Sequence, residues 1–153
     1  LYMDKFFSSQ QKNFIISILN IIIPKSDGFP SAGEIEVYTH IDNILSDSPD
    51  LKRIFFEGLN SIQYESNILF KNDFISLNDS EKNIVLKNIE KTKTDFFNAL
   101  ILHTYNGYYT NNIVLNLLGP HARPPQPLGY DIEEGDLSSL EFVKSRGIIY
   151  RIL

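Results

Sequence analysis

Three prolines within four positions, Pro124, Pro125 and Pro127, set the strongest limit on how this chain folds. Proline lacks a backbone N–H and fixes φ at about −65°, so this stretch fits neither a helix interior nor a central strand. The hundred or so residues before it differ, because apolar side chains recur there at helical spacing between short polar breaks. The sequence therefore predicts a helical core followed by an extended arm.

The first two helix starts are indicated by polar residues that precede apolar stripes. The serines at positions 8 and 9 can cap a first helix, whose isoleucine-rich run ends at Pro24. Ser31 and Glu34 have the spacing of a capping box, in which each side chain bonds the other's backbone N–H. This box predicts that a second helix begins there.

The starts of the later helices are predicted from similar capping residues and breaks. Ser48–Asp50 supplies a cap, a proline at the first helical position and an acid near the positive end of the helix dipole. The short stretch Leu69–Leu77 is expected to be irregular, and Asn78–Glu81 begins a fourth helix. Lys91–Thr94 predicts a break before a fifth, aromatic helix, and Ile113–Leu118 predicts a last short one.

These patterns predict a mostly α protein, a compact bundle of five or six helices with an extended, proline-containing C-terminal arm. We expect residues 1–119 to form the helical domain and residues 120–153 to form the arm, within a single domain overall. In the arm, residues 137–143 can form one short helix. The apolar tail, Gly147–Leu153, is expected to dock against another protein surface.

Composition excludes several classes of function. The net charge of −5 and the pI of about 5.1 argue against binding nucleic acid, because no basic stripe exists to neutralise phosphates. The longest apolar run is too short and too polar to span a bilayer, so no direct membrane insertion is expected. The absence of cysteine excludes disulfides, thiolate catalysis and cysteine-ligated metals.

No residue set predicts chemistry within this chain. The histidines are His40, His103 and His121. His40 and Asp42 are two positions apart and do not share a helix face, and His103 has only Asp95 upstream, two turns away, so a core or surface histidine is the more typical interpretation. No serine elbow, dinucleotide loop or P-loop is present. We therefore predict no catalytic, cofactor-binding or metal site. One alternative stays open, an independent small enzyme that uses His103 and the tyrosines near it.

The aromatic cluster and the proline stretch predict contact with a partner. The cluster can line a pocket, although at helical spacing it is more typical of a core whose hydroxyls reach water. A polyproline segment loses little chain entropy on docking, and the side chain of Arg123 offers a planar fork for a carboxylate. The expected partner-binding residues are Tyr105, Tyr108, Tyr109, Arg123, Pro124, Pro125, Gln126, Pro127, Gly129, Tyr130, Ile149 and Tyr150.

The order of several segments resembles one known family. These segments are FFSSQQKNFIISILNIIIPKSDGFPSAGEIEVYTHIDNIL, FFEGL (Phe55–Leu59), FFNALILHTYNGYYTNN, ARPPQPLGYD and SRGIIYR. Together they resemble the small subunit of the gluconate 2-dehydrogenase type, the subunit 3 family, from about Phe6 to Arg151. The most specific of them are the IIP motif with its acidic turn (Ile22–Asp27), HTYNGYY and RPPQPLGY.

The resemblance implies a helical accessory subunit without an active site of its own. It implies a hetero-oligomer, in which the chain binds and stabilises a large flavoprotein. That partner is a sugar or alcohol dehydrogenase of the glucose-methanol-choline class, which carries FAD and the catalytic histidine. A cytochrome c subunit with haem c commonly takes the electrons in such complexes. An adaptor unrelated to redox chemistry remains a further alternative.

The resemblance also implies a periplasmic location, since members often carry a twin-arginine leader and take the large subunit through that export system. The chain departs from the pattern in three places. This sequence shows no twin-arginine leader, and the absence of cysteine rules out a covalent link to the partner. The glycine-rich loop that some members have after the aromatic helix is shortened here to Thr110–Asn112, so no substrate class is implied.

Overall fold

The computed structural model of the protein describes residues 6–124 and 138–147. The first segment contains six α-helices: α1 (Ser9–Ile22), α2 (Tyr38–Asp47), α3 (Pro49–Phe70), α4 (Asp79–Thr92), α5 (Thr94–Tyr109) and α6 (Asn112–Leu118). A 3₁₀ turn, Phe74–Ser76, joins α3 to α4. In the second segment another 3₁₀ turn, Ser138–Leu140, leads into α7 (Glu141–Ser145). These described residues form no β-strand, only an isolated bridge between Ser26 and Phe29, so the mostly α prediction is confirmed.

Local capping explains where most helices begin. The Ser8 hydroxyl accepts from the Gln11 backbone N–H, and the Gln11 side chain accepts from the Ser8 N–H, which closes a capping box before α1. Ser48 caps α3 through the N–H of Leu51, with Pro49 in the first turn. An equivalent box, made by the side chain of Asn78, starts α4. The predicted starts of α1, α3 and α4 are therefore confirmed.

The predicted start of α2 is wrong, although the bonds that suggested it are present. Ser31 and Glu34 form both hydrogen bonds of a capping box, at 2.9 and 3.2 Å. The chain does not continue as a helix, because Glu36 adopts a left-handed conformation with φ of 54°. Residues 32–37 instead form successive turns, and α2 begins only at Tyr38.

The stretch expected to be irregular, Leu69–Leu77, is helical at its start. Leu69 and Phe70 complete α3, which ends at Lys71 in the left-handed conformation with φ of 56°. Phe74, in the 3₁₀ turn that follows, is fully buried and meets the ring of Phe14 edge-on at 5.7 Å between centroids. The irregular part is therefore short and is held by an aromatic contact with α1.

The core lies between α1, α2, α3, α4 and α5. A close contact between α3 and α5 is made by Phe55 and Phe96, whose rings meet edge-on with centroids 5.4 Å apart. Gly58 lies directly against the Phe96 ring, where a Cβ atom would overlap it. The fully buried large side chains are Phe55, Phe74, Ile15, Ile18, Leu19, Ile41, Leu45, Ile62, Ile89, Leu100, Val85 and Val114.

The last two helices of the first segment set the position of the candidate site. α5 packs against α1, α2, α3 and α4, and α6 packs chiefly on α5. The uncovered side of α5 and most of α6 consequently face solvent in the described part of the chain. The chain then leaves α6 through Gly119 and Pro120 towards the arm.

Candidate functional site

Two tyrosines on the outer side of α5 form an ordered aromatic pair. Tyr105 and Tyr109 are 43% and 38% exposed, and their rings stack with centroids 6.0 Å apart at an angle of 22°. Leu102, one turn earlier on the same stripe, is 56% exposed. Because residues at i, i+3 and i+7 share a helix face, these three side chains form one apolar stripe open to solvent.

Tyr108, the third tyrosine expected at a partner surface, lies on the inner side of α5. It is 3% exposed, and its hydroxyl donates to the Pro30 carbonyl oxygen at 2.7 Å. Burial, followed by the proximity of Tyr109 and Glu34, raises the pKa of its hydroxyl above the ordinary value. In the isolated chain Tyr108 thus anchors α5 to the loop after α1, while Tyr105 and Tyr109 are accessible.

Helix α6 also carries exposed apolar side chains. The side chain of Asn111 caps it by accepting from the Ile113 N–H, and Val114 is fully buried. Ile113, Leu117 and Leu118 are about half exposed, at 54%, 47% and 50%. Periodicity alone did not single these residues out, because an apolar residue on a short helix is usually assigned to the core.

The sequence itself contains one signal of this surface, which helical periodicity does not reveal. No lysine, arginine, aspartate or glutamate occurs from Phe96 to Ala122, a stretch of 27 residues, whereas the chain average of 22% would place about six there. The exposed polar side chains of the two helices are mostly asparagines: Asn98, Asn106, Asn112 and Asn116. We call the exposed side chains within residues 96–122 the uncharged surface. Depletion of charge with retention of aromatic residues is typical of interface cores.

A cleft borders the uncharged surface at the start of α6. It has a volume of about 340 Å³ and lies between the side chain of Ile113 and the turn that contains Phe29 and Pro30. An ion pair stands at its edge, with 2.8 Å between Lys25 Nζ and Glu34 Oε1. The hydrogen bond from Lys25 and the bond from the Ser31 N–H lower the pKa of the Glu34 carboxyl. The cleft therefore has apolar walls and a charge-balanced rim.

Two histidines approach each other where α2 packs on α5. Burial lowers the pKa of both His40 and His103, and the proximity of His103 lowers that of His40 further. His40 Nε2 and His103 Nδ1 are buried and have no hydrogen-bond partner among the described residues. Gly107 leaves room for this packing, since a Cβ there would lie 3.0 Å from His40 Cδ2. Burial therefore favours the neutral form of both imidazoles.

Of the residues expected in the arm, Arg123 and Pro124 are exposed in the described part of the chain. The other expected partner-binding residues lie outside the described residues, and their role stays a prediction: Pro125, Gln126, Pro127, Gly129, Tyr130, Ile149 and Tyr150. Within residues 6–124 and 138–147, no group of three or more histidine, aspartate or glutamate side chains is placed to hold a metal ion. No described helix is both long and apolar enough to cross a membrane.

Comparison with known families gives a match over the helical part of the chain. A family model described as gluconate 2-dehydrogenase subunit 3 matches residues 9–119 of the 153. The chain belongs to the gluconate 2-dehydrogenase subunit 3 family. It is accordingly an accessory subunit of a dehydrogenase complex. The matched residues run from α1 to the end of α6, so the arm motifs RPPQPLGY and SRGIIYR lie beyond them. No curated protein and no solved structure matches the chain.

Proposed function

We propose that this chain is the non-catalytic small subunit of a periplasmic dehydrogenase complex. It binds and stabilises a large flavoprotein subunit, which holds FAD and oxidises a sugar or an alcohol. The observation that carries the proposal is the family match, which spans all six helices of the core. The name of the family specifies a numbered subunit, and a subunit needs a surface for its partner.

The exposed aromatic and aliphatic side chains support this role. Monomeric proteins rarely leave contiguous apolar patches uncovered, and larger ones mark sites of protein contact. Tyr105, Tyr109 and Leu117 are each more than a third exposed. Burying such side chains against another chain removes apolar area from water, which stabilises both partners. A permanent interface of this kind typically covers more than about 2,000 Å².

Two purifications test the proposal: that of the complex from its native source, and that of this chain alone. We expect the chain to co-purify with a flavoprotein that shows the absorption bands of oxidised flavin. A cytochrome c band in the same complex would identify the electron acceptor. The isolated chain should bind no flavin and oxidise no sugar. Stoichiometric flavin in the isolated chain, or sugar oxidation by it, would refute the accessory role.

An assisting role in export is tested separately, by deleting the gene for this chain. The flavoprotein should then fail to reach the periplasm or should be degraded, and fractionation with activity staining would show this. A flavoprotein that is exported and active in the deletion strain would leave the chain without that role.

The alternative of an independent enzyme at His103 makes a different prediction. Replacing His103 with Asn should leave both complex formation and dehydrogenase activity within about twofold of the wild type. If His103 performs catalysis, the substitution should abolish activity, because loss of a general base typically costs about 10²–10⁴ in rate. Its packing against His40 favours a structural role.

A further inference from the structure

The uncharged surface of α5 and α6 has a composition that restricts what can cover it. From Phe96 to Ala122 the chain contributes no formal charge except through protonation of its histidines, and both the exposed aliphatic groups and the tyrosine stack lie there. A charged side chain placed against such a surface would lose its hydration without gaining an ionic partner. The surface that covers it must therefore also be uncharged in its centre.

The structure supplies recognition features other than charge. The exposed amides of Asn106, Asn112 and Asn116 each offer both donors and an acceptor. They match backbone carbonyl and N–H groups or neutral polar side chains on a partner. The stacked pair of Tyr105 and Tyr109 is already ordered, so little side-chain entropy is lost when it is covered.

The cleft beside Ile113 provides room for an anchoring side chain. Its volume of about 340 Å³ and its walls of Phe29, Pro30 and Ile113 suit one large apolar group. Side chains buried in such pockets near the middle of an interface usually carry much of the binding energy. The Lys25–Glu34 pair at the rim is internally balanced, so it does not require a charged partner.

We infer that the uncharged surface is the permanent interface with the large flavoprotein subunit, which presents an uncharged, apolar face and inserts one apolar side chain beside Ile113. This inference rests on the proposed function, since it names the same partner. It adds the location and the chemistry of the contact, and it places the contact on the folded core ahead of the arm. It also implies that ionic strength has little effect on binding.

Introduction of one charge tests the location. Leu117→Asp places a carboxylate on α6, and Ile68→Asp places one on α3, at positions that are 47% and 49% exposed. The large subunit is co-expressed with each full-length variant, and the dissociation constant is measured by sedimentation. We expect L117D to bind at least about tenfold more weakly and I68D to remain within about twofold of the wild type. Equal binding by L117D and the wild type would overturn the inference, as would a loss confined to I68D.

A second pair of variants guards against misfolding of the short helix α6. Tyr105→Ala removes one member of the stack, and Tyr64→Ala removes an exposed tyrosine, 68% exposed, from α3. Circular dichroism of each free variant checks that the fold is retained. Y105A should weaken binding at least about fivefold and Y64A should not. The opposite ranking would overturn the inference even if L117D proved unfolded.

Salt titration tests the chemistry of the contact. Because Coulomb attraction between exposed charges is screened over about 3 Å at 1 M salt, a charge-based interface weakens steeply as salt rises. We expect the dissociation constant of the wild-type complex to rise by less than about threefold between about 0.05 and 1 M NaCl. A rise of more than about thirtyfold would contradict an uncharged contact.

The outcomes distinguish this inference from the proposed function. Failure of the wild-type chain to bind any flavoprotein would overturn the proposed function itself. A wild-type complex that L117D forms with normal affinity would overturn only the location of the interface.

Discussion

The hydroxyl of Tyr108 donates a hydrogen bond to the carbonyl oxygen of Pro30, and 2.7 Å separates the two oxygens. The residues are 78 positions apart in the chain, so the bond fastens the end of α5 to the loop that follows α1. That loop forms one wall of the cleft, and α5 carries the tyrosine stack. The bond thus links two parts of the candidate site.

Replacing Tyr108 with Phe should destabilise the protein by about 1 kcal/mol, because the ring stays buried while the Pro30 carbonyl loses its donor. Urea unfolding followed by circular dichroism measures the change. Tyr105→Phe is the matched control, since the Tyr105 ring is 43% exposed, and its unfolding midpoint should not move. Equal midpoints for Y108F and the wild type would mean that the bond contributes nothing net to stability.

Replacing Gly58 with Ala should destabilise the protein by about 1–3 kcal/mol, through overlap of the new methyl group with the Phe96 ring. Helix propensity alone predicts the opposite sign, a gain of about 1 kcal/mol. Thermal and urea unfolding therefore decide between packing and propensity. Asn60→Ala, on the exposed side of α3, is the control and should be neutral or stabilising.

A double-mutant cycle isolates the cause of the loss at Gly58. Phe96→Ala removes Cγ and both Cδ atoms, which are the ring atoms that the new methyl group would meet, so the cost of Gly58→Ala should shrink in that background. An unchanged cost in the two backgrounds would assign the effect to the backbone of α3 rather than to Phe96.

The stability of the chain should fall as pH drops below about 6.5, the ordinary pKa of histidine, because burial lowers the pKa of both His40 and His103 in the folded state. The unfolded chain then binds protons that the folded chain does not, which favours unfolding. The decline should end once the pH is below the lowered folded-state values. Urea midpoints measured between about pH 7.5 and 5 test this.

Substitution of both histidines by glutamine should flatten this part of the pH profile, because the groups responsible are removed. His121→Gln, at an exposed position, is the control for the substitution itself. If the double variant keeps the slope of the wild type, groups other than His40 and His103 cause the pH dependence of stability.

Removal of residues 123–153 should weaken binding to the large subunit while the six helices remain folded, because every buried core side chain that the structure describes lies before Arg123. Circular dichroism reports the core, and sedimentation with the flavoprotein reports binding. A truncated chain that binds as tightly as the full chain would show that the arm does not contribute to docking.

Local sequence was enough to predict where the folded elements begin when the stabilising bonds are also local. The caps made by Ser8, Ser48 and Asn78 each reach a backbone N–H three residues ahead. The start of α2 was not predictable in this way, because the backbone near it is held from a distance. The N–H of Gly33 donates to the Asn20 side chain, thirteen residues earlier, at 3.0 Å.

The candidate site was only partly predictable for a related reason. Helical spacing places Tyr105, Tyr108 and Tyr109 near one another, but the identity of the buried ring depends on which neighbour lies against it. Only the fold brings Pro30 to Tyr108 and leaves the other two outside. The role of Ile113 at the cleft likewise requires a turn from the other end of the chain. The absence of charge from Phe96 to Ala122, by contrast, needs no structure to be seen.

The uncharged surface also has a consequence for the speed of assembly. Without complementary charges to guide the encounter, association of two proteins proceeds at about 10⁵–10⁶ M⁻¹s⁻¹, far below the steered limit. At nanomolar concentrations such an encounter takes from tens of minutes to hours. A small subunit built in this way benefits from synthesis beside its partner, where local concentration replaces long-range attraction. The side-chain amides of Asn106 and Asn112 keep the free surface hydrated before the partner binds.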